Sequence, residues 1–176
     1  MPEDIGPLAR LFDALGAEDP EGWAESEAEE GLPQLARFRF LRMVWQDIDA
    51  WSTTASDWAA AYRRDGAAGG AVERAVRLGL TAEDLGEIAR EVARETAFAM
   101  LHGLDDPDRG DEPDEVAGRL PGWFLGENSA HGGPTGRILN ALHEDLNETE
   151  PQTPDQPYLN ETAPQTPTSR TGGDTV

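Results

Sequence analysis

Seven apolar side chains between Leu41 and Tyr62 constrain this chain more than any other feature. Leu41, Val44, Ile48, Trp51, Ala55, Trp58 and Tyr62 follow one another at alternating gaps of three and four. That period places all of them on one stripe of an α-helix, whereas a strand would scatter them over both faces. Pro33 suits the first turn of such a helix, because the N–H it lacks would have no partner there. The pattern predicts one long helix from about Gln34 to Arg64, ended by Asp65-Gly66. Ser52, Thr53 and Thr54 lie off the stripe and leave room for a kink.

A second long helix is predicted to open at Thr81, whose hydroxyl can cap the first turn. Asp84 stands three residues on, where a capping box usually has Glu. Leu85, Ile88, Val92, Thr96 and Ala99 share one face of it and are expected to meet the first helix. At its end Phe98, Ala99, Met100 and Leu101 point all round the axis, which predicts burial against Trp51 and Trp58 in the middle of the core. Shorter helices are expected at Ile5–Leu15, stopped by Gly16, and at Ala71–Leu78, closed by Gly79. Trp123 to Leu125, followed by a turn through Gly133-Pro134, predict a short strand or small hairpin. Thr135 is then expected to cap a last helix carrying Ile138, Leu142 and Leu146.

The fold class that follows is mainly α: a helical bundle around two long antiparallel helices, with a small β-hairpin near the C-terminal end of the domain. Residues 1–30 are read as a short amphipathic helix plus an acidic linker, with seven acids between positions 17 and 31. Residues 31–146 form the helical core domain, and 147–176 a disordered tail. That tail repeats itself, LNETEPQTPDQPY (146–158) being followed at once by LNETAPQTPTSRT (159–171). Its Pro, Thr, Gln and Asn bury too little apolar surface to offset the entropy lost on ordering. A second acid-rich stretch, 105–115, reads as a solvated loop.

Composition narrows the function classes. The chain has 176 residues, 38% of them hydrophobic and none of them Cys, which excludes disulfides, thiolate metal sites and a cysteine nucleophile. All fourteen basic residues are Arg, a bias typical of GC-rich bacterial genomes. The longest apolar run, Ala97–Leu101, is far short of the roughly twenty residues of a membrane span. The N-terminal MPEDIGPLARLF lacks a basic leader, so a cytoplasmic location is expected.

The net charge of −21 is uneven: residues 37–94 sum to zero, while 1–36 carry −9 and 95–146 carry −8. Such flanks repel nucleic-acid phosphate and anionic lipid, and favour a basic protein partner. Residues 71–92 have the outline of a helix-turn-helix. However, the second helix would present Glu83, Asp84 and Glu87 to DNA, which argues for an ordinary helical corner.

No stretch carries an established catalytic or ligand motif, and no cofactor is implied. Three weaker constellations remain. Trp23, Phe38 and Trp45 fall off the stripe and form a candidate partner-binding patch if they are exposed together. His102 with Asp105, and His143 with Glu144, would make an acid–base or metal centre if the two segments meet, although neither His-x₃-His nor His-Glu-x-x-His occurs. His102 alone is explained by its place in the last turn of a helix. Thr153 and Thr166 precede prolines in the tail repeats and are candidate phosphorylation sites. In the RFRFLR stretch, Arg39 or Arg42 is expected to bridge to the acidic N-terminal segment. The leading expectation is a non-enzymatic acidic module that binds and neutralises a basic protein, in the manner of an immunity protein or antitoxin. The alternatives are a small enzyme using His102 and His143, and a regulatory adaptor with a modified tail.

Overall fold

The computed structural model describes residues 5–106 and 119–151. It is mainly helical, with one two-stranded antiparallel hairpin towards the C-terminal end. The repeated tail with Thr153 and Thr166, and most of the acid-rich loop, lie outside the described residues.

Helix α1 spans Gly6–Leu15 and stops where Gly16 turns left-handed (φ 84°), its N–H donating to the Asp13 and Phe12 carbonyls. The acidic stretch expected as a linker is instead a helix, α2 (Pro20–Glu30). Three local signals build it. The Asp19 carboxylate accepts from the Gly22 N–H, Pro20 occupies the first turn, and Gly31 ends the helix at φ 69°. Glu21, Glu25, Glu29 and Glu30 face water, while Ala24 is buried and Trp23 and Glu27 half-buried. Phe12, Trp23 and Phe38 pack as an aromatic trio with ring centroids 5.4–6.0 Å apart. Such pairs add roughly 0.5–1.5 kcal/mol each beyond the area they bury.

The predicted long helix is divided into α3 (Gln34–Thr53) and α4 (Ala55–Asp65). The hydroxyls of Ser52 and Thr53 both donate to the Asp49 carbonyl, and that of Thr54 to Ala50. Three consecutive side chains competing for the backbone make this the weak point of the rod. Helix α5 (Gly69–Arg77) ends before Gly79 (φ 101°), and α6 runs over Ala82–Asp105. The α6 capping box forms as expected: the Asp84 N–H donates to the Thr81 hydroxyl at 3.1 Å, and the Thr81 N–H to the Asp84 carboxylate at 2.6 Å.

The face of α6 that meets α3 is not the predicted one. Gly86 is buried against Ser52 and Ala55, Ala93 and Ala97 pack on the core, and Leu101 is buried within it. Ile88 and Val92 of the expected stripe turn to water, 56% and 60% exposed, while Leu85 stays half-buried. Nor is the far end of α6 buried all round, since Met100 is 68% exposed. Trp51, expected in the core, is 37% exposed and packs edge-on against the half-buried Trp58. The physical reason is complementarity of size. Leu41, Trp45 and Ile48 of α3 fill the interface, so α6 approaches with Gly and Ala.

The core is completed by Leu139, Leu142 and Leu146 from the C-terminal end of the described chain. Strands β1 (Gly126–Asn128) and β2 (Pro134–Ile138) pair with Gly126 opposite Ile138 and Asn128 opposite Pro134. Thr135, expected to cap a last helix, lies in β2 and bonds through its hydroxyl to Glu127 at 2.7 Å. The helix that follows, α7, covers only Leu142–Asp145, because Ala141 is left-handed (φ 54°) and breaks continuity with the strand. Leu142 and Leu146 are fully buried, whereas Ile138 is exposed.

Candidate functional site

Two surfaces and one side-chain cluster bear on function. The cluster unites the end of α6 with α7. His143 Nδ1 lies 2.7 Å from Asp105 Oδ2, and its ring centroid is 4.7 Å from that of His102. Phe98 lies edge-on to His143 at 5.6 Å, and Glu144 Oε1 is 4.0 Å from His143 Nε2. All four residues picked out as an acid–base or metal set are thus brought together. The contact joins Nδ1 of the imidazole to a carboxylate oxygen, a pair whose donor depends on the ring tautomer. Among the described residues, however, no group of three or more His, Asp or Glu is arranged to hold a metal ion. What the contact does visibly is clamp α7 to the last turn of α6. His131 lies exposed in the hairpin turn.

The predicted aromatic patch is not at the surface. Trp45 is fully buried, its indole N–H donating to the Leu146 carbonyl at 2.8 Å and its ring facing the Arg90 guanidinium at 5.3 Å. Phe38 is buried and Trp23 half-buried in the trio with Phe12. These residues lie off the stripe because α3 is covered on two sides, by α1 and α2 through Phe38 and by α6 and α7 through Trp45. A helix packed twice buries a wider arc than one stripe.

The exposed apolar surface lies elsewhere, between α3 and α6. An open trough of about 560 Å³ has walls of Phe40, Val44 and Trp51 on one side and Val92, Met100 and Leu104 on the other. Among the described residues, Asp47 is the one charged residue lining it. A shelf beyond Val92 and Met100 continues the surface and carries Glu91 and Glu95, which share the Arg94 guanidinium. Sequence reasoning missed this trough, yet α6 held a signal for it. The helix has one row of small residues (Gly86, Ala93, Ala97) and another of large ones (Ile88, Val92, Met100), and only one row can face α3.

A larger acidic cavity, about 790 Å³, lies where α2, α3 and the chain after α7 converge, lined by Glu18, Asp19, Asp145, Glu148 and Glu150 with Trp23 and Arg42. Behind it Arg37 forms a buried ion pair with Asp145 and donates to Gln34 Oε1 at 2.9 Å. Burial pushes the Asp145 carboxyl above the usual carboxylate range, against the pull of Arg37. The bridge to the acidic N-terminal segment expected of Arg39 or Arg42 is made instead by Arg137. It bonds Glu27 at 2.9 Å and Glu127 at 2.6 Å, tying the hairpin to α2. Arg39 and Arg42 are exposed and make no ion pair among the described residues. The Arg137 hydrogen bonds hold the Glu127 carboxyl below its ordinary range.

No protein-family model, curated protein or solved structure matches this chain. Among the described residues, no helix is long and apolar enough to cross a membrane.

Proposed function

We propose that this chain is a non-enzymatic, acidic protein-interaction module of the cytoplasm that binds a basic protein. The trough between α3 and α6 is its binding face, and the two helices, running antiparallel, are the walls. One observation carries the reading: large apolar side chains stand in water along a trough whose lining and shelf, among the described residues, hold acidic charges alone, Asp47, Glu91 and Glu95. Contiguous apolar surface with a polar rim is the usual mark of an interaction site. The net charge of −21 adds long-range attraction for a cationic partner and repulsion of nucleic acid. Neutralisation of a basic toxin, as by an immunity protein or antitoxin, suits this chemistry by class analogy.

The test is capture from the source cells followed by kinetics on the captured protein. Association slows steeply as salt rises from about 0.05 to 0.5 M, and capture fails with a Val92→Glu, Met100→Glu variant that melts like the wild type. Salt-independent association, or unchanged capture by that variant, would sink the proposal.

A second reading, acid–base or metal chemistry, is favoured by the 2.7 Å contact of His143 with Asp105 beside His102. Stoichiometric zinc shifting the ring protons of both histidines would move the assignment to that reading.

A further inference from the structure

We infer that the trough takes a single amphipathic helix of the partner, about four turns long, with an apolar face and arginines or lysines along its edges. The inference rests on the interaction reading above and adds the shape and chemistry of the docked segment.

Backbone hydrogen bonding selects the conformation. The α3 and α6 walls are helices whose own backbone groups are already paired within them. Among the described residues, the side chains lining the trough that can hydrogen-bond are Asp47, Thr96 and the single indole N–H of Trp51, and the Thr96 hydroxyl is committed to the Val92 carbonyl at 2.7 Å. An extended segment laid here would bury N–H and C=O groups over Phe40, Val44, Val92 and Met100 without partners. Among the described residues, no sheet edge lines the trough to pair with a strand. A helix satisfies its own backbone and needs from the trough only apolar contact. The trough follows α6 from Ala89 to Leu104, which at the helical rise is roughly 22 Å, or about four turns.

Charge selects the partner. The charged residues of the trough and its shelf, Asp47, Glu91 and Glu95, are all acidic. A second copy of this chain would bring the same rim and the same net charge of −21 to the contact. The chain's own segments outside the described residues fit no better. Residues 107–118 hold acids and two prolines, and 152–176 are interrupted by Pro154, Pro157, Pro164 and Pro167. What remains is a cationic helix presenting apolar residues at i, i+3 or i+4, and i+7.

The test uses the full chain and three synthetic peptides of sixteen residues. The first places Leu on one helical face with Lys and Arg at its edges. The second has the same composition in scrambled order, and the third replaces the edge cations with Glu. The first peptide is expected to bind, to gain helical circular dichroism on binding, and to shift the methyl resonances of Val92 and Met100. Val92→Glu, and separately Met100→Glu, should each weaken it at least about tenfold, the order of one lost buried anchor. Both positions are exposed, and a thermal melt of each variant is the control that it is folded. Equal binding of the scrambled peptide, binding without helix gain, or equal binding of the Glu-edged peptide would overturn the inference. So would concentration-dependent shifts of the same methyls without any peptide, which would identify a second copy as the occupant. If no peptide binds while salt-sensitive capture still depends on Val92 and Met100, the helical occupant falls and the interaction module stands. If capture also ignores those residues, both fall.

Discussion

Replacing Gly86 with Ala puts a number on how closely α6 approaches the α3–α4 junction. A Cβ at this position would lie 2.8 Å from the Ala55 Cβ, 3.1 Å from the Ser52 Cα and 3.3 Å from the Ser52 carbonyl oxygen. Unstrained carbon contacts are about 3.5–4.0 Å, so the helices must part by roughly 0.7–1.2 Å. Overpacking of this kind costs about 1–3 kcal/mol. Against it stands the gain from replacing glycine inside a helix, about 0.8–1.0 kcal/mol. The net effect therefore runs from balance to a loss of about 2 kcal/mol. Gly103 supplies the control, because it lies in the same helix and nothing stands within 4 Å of its would-be Cβ. Gly103→Ala should keep the propensity gain and melt above the wild type. The propensity term cancels between the two variants, so their difference isolates the steric term of about 1–3 kcal/mol. At roughly 2–4 °C per kcal/mol for a chain of this size, the midpoints should differ by about 2–12 °C. Thermal and urea melts followed at 222 nm measure this. Coincident midpoints, or Gly86→Ala melting above Gly103→Ala, would refute the close approach.

Two further outcomes follow from single residues. Trp45→Phe removes the indole N–H from the Leu146 carbonyl, which then keeps only the Thr149 hydroxyl at 3.2 Å. The urea midpoint should fall by the equivalent of about 1–2 kcal/mol with an unchanged slope; an unaltered midpoint would remove this anchor from the account. Arg137 lowers the Glu127 carboxyl, so the folded value lies below the unfolded one. Its contribution is complete above the ordinary Glu value and is lost as pH falls through the depressed one. Glu127→Gln should therefore flatten the acid side of the stability–pH curve, and an identical curve would refute the assignment.

Local backbone chemistry was the most legible level of this sequence. The Gly16 stop and the Thr81–Asp84 capping box stand as read. The Asp19-Pro20 start and Gly31 stop of α2 are equally local, but seven acids mask them, because charge density reads as a linker where one buried Ala and a half-buried Trp suffice for a helix. Rotation about the helix axis was not legible. The stripe of α6 named by bulk is the outward one, since the inward face was chosen by what α3 had already filled. For the same reason the candidate patch of Trp23, Phe38 and Trp45 was placed outside when two sets of neighbours enclose it. The meeting of His102 with His143 needed the path of the chain back across α6, which no spacing within either segment encodes.

The division of α6 into a small inner row and a large outer row also separates two evolutionary pressures that most helices entangle. Ile88, Val92 and Met100 add little to the free energy of folding, so purifying selection for a folded chain alone would let them drift to polar residues. Gly86, Ala93 and Ala97 answer to packing and would be retained even in a descendant that had lost its partner. Among diverged descendants, the outer row would record recognition and the inner row architecture, two histories written on one helix.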